Sequence, residues 1–247
     1  MNLPAANEQV GREDMSRKDI MREILITSGL DHPNVVPLIE FYIERKKVYM
    51  VFEMMKGGRL LEVVLKRLSE KDARLVFQQL VSGILYLHDR NVVHRDLKLE
   101  NILLKEKGNL GTVRIADFGL AKQTTQPLQT MCGTLNYVAP DVIKETKHKK
   151  YEKSVDMWSA GVLLYILLSG QHPFTGTEDE VWDKILHANY GFNNQVWRNI
   201  SSGAKDLIRK LLEINSDRRL TAEQALLDSW MFRVQPTQPH STTTPRR

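Results

Sequence analysis

The sequence predicts an α+β fold in which a small strand-bearing part precedes a large, mainly helical one. The first observation behind this is a pair of β-rich runs, VVPLIEFYI and KVYMVFEMM, joined by the charged turn ERKK as in a hairpin. The second is the stretch SEKDARLVFQQLVSGILYLHDR, which keeps Leu75, Leu80, Ile84 and Leu87 at helical spacing. The third is the mainly helical pattern from Val142 to Phe232.

Taken in order, residues 1–15 are polar and aperiodic and read as a loose leader. SRKDIMREILITSGL reads as a helix capped by Ser16, with an apolar stripe at Ile20, Ile24 and Leu25 and a stop at Gly29. The hairpin follows and completes a small unit over 16–56. After Gly57 and Gly58, a short helix from Arg59 to Lys66 leads into the long one. ILLKEKGNLGTVRIADF reads as two short strands around a Gly-Asn turn. The run WSAGVLLYILLSG, Trp158 to Gly170, is too short to cross a bilayer and reads as a buried core helix. A helical unit thus spans 57–232, and the Pro/Thr-rich tail 233–247 is expected to be disordered.

With 247 residues, 42% of them hydrophobic, the chain can bury a full core. Its single cysteine, Cys132, rules out an intrachain disulfide and fits a reducing compartment, cytoplasmic or nuclear. No membrane span or signal peptide is expected. The net charge of +5 is spread among charges of both signs, and the densest basic run, Lys144 to Lys153, has no aromatic ladder around it. It reads as a solvated loop, and no nucleic-acid partner is expected.

The chemistry lies in HRDLKLEN (His94 to Asn101), ADFG (Ala116 to Gly119), GTLNY and VAPD (Gly133 to Asp141), in this order. On these motifs the sequence resembles the eukaryotic protein kinases from about Arg22 to Phe232. Lys98 with Gly133 and Thr134 resembles the serine/threonine kinases, and TMCGTLNYVAPDV and RRLTAEQALLDSW look like the calcium/calmodulin-dependent or checkpoint-type group. The resemblance implies a protein-kinase-like fold and ATP-dependent phosphorylation of Ser or Thr in protein substrates, with Mg²⁺.

Phosphoryl transfer needs a hydroxyl aimed in line at the γ-phosphoryl group, and a carboxylate that orients it and accepts its proton. The resemblance gives that role to Asp96. It gives charge neutralisation to Lys98, Mg²⁺ binding to Asn101 and Asp117, and a further catalytic position to Thr134. Phe52 would guard the back of the adenine pocket, the Glu53 C=O and Met55 N–H would bind adenine, and Leu103 would form its floor. Glu23 matches the helix glutamate, and Glu100 an acidic position facing a basic peptide. Thr130 lies where the group is phosphorylated, by an upstream kinase or in trans, and Arg95 could pair with the added phosphate. His94 and Phe118 would pack structurally, Asp156 would cap the catalytic loop, and Asp141 would pair with Arg219, one methylene short for a bidentate contact.

The sequence departs from the family pattern in two places. It holds no GxGxxG, and the only lysine ahead of Glu23 is Lys18, in the same helix, so the small β lobe reads as truncated. Losing one preorganised donor costs about 10²–10³ in rate, so this chain alone is expected to be weakly active. Three readings account for the gap: a start placed downstream of missing strands, a pseudokinase-like binding module, or a lobe supplied in trans. The second departure is Arg59, which stands where basophilic relatives have Glu and opposes the charge of Glu100.

Overall fold

The computed structural model describes residues 17–45, 47–64, 67–123, 135–143 and 151–232. Ser16, Lys66, Thr130, Cys132, Thr134, most of the basic run and both expected terminal segments lie outside the described residues. The α+β class that the sequence predicts is the one found.

Helix α1 (Arg17–Ser28) buries Ile24, Ile26 and Thr27 but leaves Leu25 71% exposed, which corrects the expected stripe. Ile20, Ile24 and Thr27 are spaced i, i+4, i+7, and Leu25 is turned from Ile24 by about 100°. Thr27 tolerates burial because its hydroxyl donates to the Glu23 carbonyl at 2.7 Å.

Strands β1 (Leu38–Glu44) and β2 (Lys47–Phe52) pair antiparallel around the expected charged turn, with Glu44 opposite Lys47. Among the described residues their sheet has two strands, and Ile39, Phe41, Tyr42, Ile43 and Tyr49 are exposed. The segment before β1 is tied to the next layer: Ile115 N–H donates to Asn34 O at 2.8 Å, and Val36 N–H to Ile115 O at 2.9 Å.

That layer is β3 (Gly58–Arg59), β5 (Ile102–Leu104) and β6 (Val113–Ile115), in the order β3-β5-β6. A third, two-stranded sheet pairs β4 (Val92–Val93) with β7 (Lys122–Gln123). Arg59 is paired with Leu103 and does not open the short helix, so α2 runs from Leu60 to Val64. The β5–β6 connection turns through Gly108 at φ 72°, a left-handed value that costs glycine little.

Helix α3 (Glu70–Asp89) is capped by Ser69, whose hydroxyl accepts from Asp72 N–H at 3.1 Å. It ends where Asn91 takes a left-handed φ of 56°. It buries Ala73, Val76, Phe77, Leu80, Val81, Ile84 and Leu87, while Leu75 is 42% exposed, a second correction to the expected stripe. Its Glu70 holds the helical part together at one end. Glu70 Oε1 accepts from Ser201 Oγ at 2.6 Å and Trp230 Nε1 at 2.7 Å, and Oε2 accepts from Ser201 N–H at 2.9 Å.

Beyond α4 (Pro140–Ile143), helix α5 (Tyr151–Ser169) is buried all round from Met157 to Leu168. It packs against α3 and α7 (Ser202–Leu211). A methyl added at Gly161 would stand 2.9 Å from both Leu211 Cβ and Leu212 Cδ2, so α5 and α7 touch there through a bare backbone. Helices α6 (Glu178–Leu186) and α8 (Ala222–Leu226) both begin with reciprocal caps, Thr177 with Glu180 and Thr221 with Gln224. Helix α9 (Ser229–Phe232) brings Trp230 under α3. Among the described residues no helix is long and apolar enough to cross a membrane.

Candidate active site

The site is built from the loop after β4, and that loop hangs on one buried carboxylate. Asp156 of α5, 1% exposed, accepts His94 N–H and His88 Nε2–H on Oδ2, both at 2.9 Å, and Arg95 N–H on Oδ1 at 2.9 Å. Burial alone would raise its pKa; the hydrogen bond from His88 and the Arg95 amide outweigh it, so Asp156 stays below the usual carboxylate value. Arg95 has a left-handed φ of 70°, a strained backbone for a side chain of this size. The charge-assisted bond from its amide offsets that strain.

His94 is fully buried, with Nε2 2.9 Å from the Ala116 carbonyl and its ring tilted against Phe118 at 5.0 Å. Leu97 and Leu99, at 0% and 2% exposure, anchor the loop in the core. The residues between and beside them gather polar groups. Lys98 Nζ lies 2.7 Å from Asp96 Oδ2, and Asn101 Nδ2 donates to the same oxygen at 3.1 Å and to Asp96 O at 2.9 Å. No described residue hydrogen-bonds to Asp96 Oδ1. The second loop is stitched to the first, since Ala116 N–H donates to Asn101 O at 2.9 Å. The next residue, Asp117, is exposed, has φ 61°, and accepts Gly119 N–H on Oδ1 at 3.2 Å.

The strand end after β2 carries the residues expected to meet adenine. Phe52 is half-buried there, and Glu53 N–H donates to Pro37 O at 3.1 Å. The Glu53 carboxylate meets Lys105 Nζ at 2.8 Å and Arg114 NH2 at 3.6 Å. The Met55 carbonyl accepts Gly58 N–H at 3.2 Å. Among the described residues, neither the Glu53 C=O nor the Met55 N–H has a hydrogen-bond partner. Leu103, half-buried, sits in β5 opposite Arg114. Glu23 is half-buried on α1.

Glu100 has a buried oxygen, Oε2, that accepts no hydrogen bond among the described residues. Burial, then the charge of Glu100, raise the pKa of Tyr137, whose ring meets His172 edge-on at 5.2 Å. Burial lowers the pKa of His172, and Glu100 opposes that shift. Arg59, opposite Leu103, is exposed.

Arg219 NH2 meets Asp141 Oδ2 at 2.7 Å in a single contact. The rest of the fork is taken by carbonyls: Nε donates to Glu213 O at 2.9 Å and NH1 to Ser154 O at 2.9 Å. His88 is a participant that sequence reasoning passed over. A basic residue in the last turn of a helix is common for dipole reasons, so nothing in the pattern marked it.

The amino-acid sequence matches the protein kinase domain over residues 5–231. It is 45% identical over 219 residues to myosin light chain kinase A of Dictyostelium discoideum, covering 87% of this chain and 73% of that protein. It is 41% identical over 240 residues to serine/threonine-protein kinase DCLK3 of Mus musculus, covering 95% of this chain and 30% of that one. Against calcium/calmodulin-dependent protein kinase type 1 of Macrobrachium nipponense it is 40% identical over 225 residues, covering 90% of this chain and 63% of its relative. The chain belongs to the protein kinase family. Within it, this is a serine/threonine kinase of the calcium/calmodulin-dependent group.

Proposed function

We propose that the chain transfers the γ-phosphoryl group of ATP to Ser or Thr hydroxyls of protein substrates, with Asp96 as the orienting base. The observation that carries this is the division of labour on the Asp96 carboxylate. Oδ2 is held by Lys98 and Asn101, at 2.7 and 3.1 Å, while among the described residues nothing hydrogen-bonds to Oδ1, which can accept from an incoming hydroxyl. Lys98, already beside that carboxylate, neutralises charge on the group in transfer. The adenine edge meets the open Glu53 C=O and Met55 N–H, with Leu103 beneath and Phe52 behind.

Asn101 and Asp117 fit a hard cation. Both Asn101 amide hydrogen bonds use Nδ2, which leaves its oxygen as an acceptor, and Asp117 offers an exposed carboxylate. Among the described residues no three His, Cys, Asp or Glu side chains cluster as a metal cage. That suits Mg²⁺, which takes few protein ligands and completes its shell with phosphate oxygens and water. When bound, it neutralises phosphate charge.

These 247 residues contain no GxGxxG, and Lys18 is the only lysine among them ahead of Glu23. That same feature favours a second reading, a pseudokinase-like binding module. Thermal unfolding with Mg·ATP separates the two. The kinase reading expects a higher Tm with nucleotide, and phosphate transfer to Ser/Thr peptides that Asp96→Asn lowers by about 10²–10⁴-fold. An unmoved Tm together with no transfer supports the binding module. Thr130, with Arg95 as its phosphate partner, is the proposed site of activating phosphorylation, and the activation produced by an upstream kinase should be lost in Thr130→Ala.

A further inference from the structure

We propose that Lys105 and Arg114, acting through the Glu53 carboxylate, are positioning residues that set the adenine-binding edge over its apolar floor. The proposal rests on the reading of Glu53, Met55 and Leu103 as the adenine site.

Residues 53–57 have no regular structure, so nothing in a strand ladder fixes the rotation of their peptide groups. A carbonyl and an N–H that must meet one ligand edge need that rotation fixed. The Glu53 amide is held on one side by Pro37 O at 3.1 Å. Its carboxylate is held on the other side by Lys105 at 2.8 Å and Arg114 at 3.6 Å, one cation from each side of the β5–β6 hairpin. Arg114 is itself fixed, since NH1 donates to Val35 O at 3.0 Å.

The same hairpin carries the floor. Leu103 faces Arg114 across the ladder and lies two residues before Lys105. The strip after Glu53 is seated on that strand by backbone bonds, Lys56 N–H to Lys105 O at 3.0 Å and Gly57 N–H to Leu104 O at 2.9 Å. The seat is close: a Cβ at Gly57 would stand 2.5 Å from both Leu104 Cβ and Glu106 O. Edge and floor therefore move as one body, and the ion pair fixes the end of that body the backbone bonds do not reach. Lys105 is 41% exposed and Glu53 28%, so the effect is that of a screened ion pair and not a buried one.

Titration calorimetry of the full chain with adenosine and with Mg·ATP tests this, using wild type, Lys105→Ala, Lys105→Arg and Glu53→Gln, with the Tm of each nucleotide-free protein alongside. The expected result is that Lys105→Ala and Glu53→Gln weaken adenosine and ATP by the same factor, about two- to fivefold. Lys105→Arg should restore binding, and the nucleotide-free Tm of Lys105→Ala should match wild type. Unchanged constants in both variants, with wild type binding normally, overturn the clamp alone. A loss for ATP without one for adenosine also overturns it, because Lys105 would then act on phosphate. A wild-type chain that binds neither ligand overturns the adenine-site reading and the clamp with it.

Discussion

Glu70 shows how one residue's ionisation reaches into stability. Burial pushes its pKa up, but the hydrogen bonds from the Ser201 hydroxyl and amide and from Trp230 prevail, so the folded value lies below the ordinary 4.5. A carboxylate with a depressed folded pKa contributes stability that is complete above the unfolded value and is lost as pH falls through the folded one. Glu70→Gln should therefore lower Tm at pH 7, and its deficit relative to wild type should shrink as pH is taken from about 4.5 towards 3. Unfolding curves of both proteins across that range check this; a constant deficit would mean that the charge is not the source. At this scale motifs singled out residue types such as Asp96, Asn101 and Asp156, whose roles belong to the proposed function. The sequence was not readable where a partner decides the role, as for His88, or where an apolar side chain lies beside the buried face, as for Leu25 and Leu75.

Between elements, the contact of α5 with α7 depends on a missing side chain. Gly161→Ala gains about 1 kcal/mol of helix propensity but forces a methyl to 2.9 Å from Leu211 Cβ, which cannot rotate away. Overpacking of this kind costs about 1–3 kcal/mol. The net expectation is a loss of about 1 kcal/mol, or about 2–4 °C in Tm, measurable by calorimetry. The long helices and the β1–β2 hairpin were legible because their periods run for several turns or pairs. The strands β3, β4 and β7, of two residues each, carry no period at all. They exist because neighbouring backbone offers partners, which is why Arg59 joined a strand and not the helix after it.

At the scale of the whole molecule, the β1–β2 sheet presents Ile39, Phe41, Tyr42 and Ile43 at 50%, 41%, 51% and 49% exposure. Exposed apolar side chains on a sheet that has two strands among the described residues invite association between molecules. Phe41→Lys with Ile43→Thr should raise the monomeric fraction of this polypeptide in size-exclusion chromatography while leaving its circular dichroism unchanged. The α+β class was legible from the order of its periodic segments.

The hold of Asp156 on the loop after β4 has a kinetic consequence. The amide hydrogens of His94 and Arg95 end on a carboxylate that is 1% exposed and belongs to a core helix, so solvent deuterium reaches them only when the loop and α5 part. Their exchange should be slow, although they sit in a loop. The amides of Gly111 and Thr112, bonded within an exposed turn, should exchange orders of magnitude sooner.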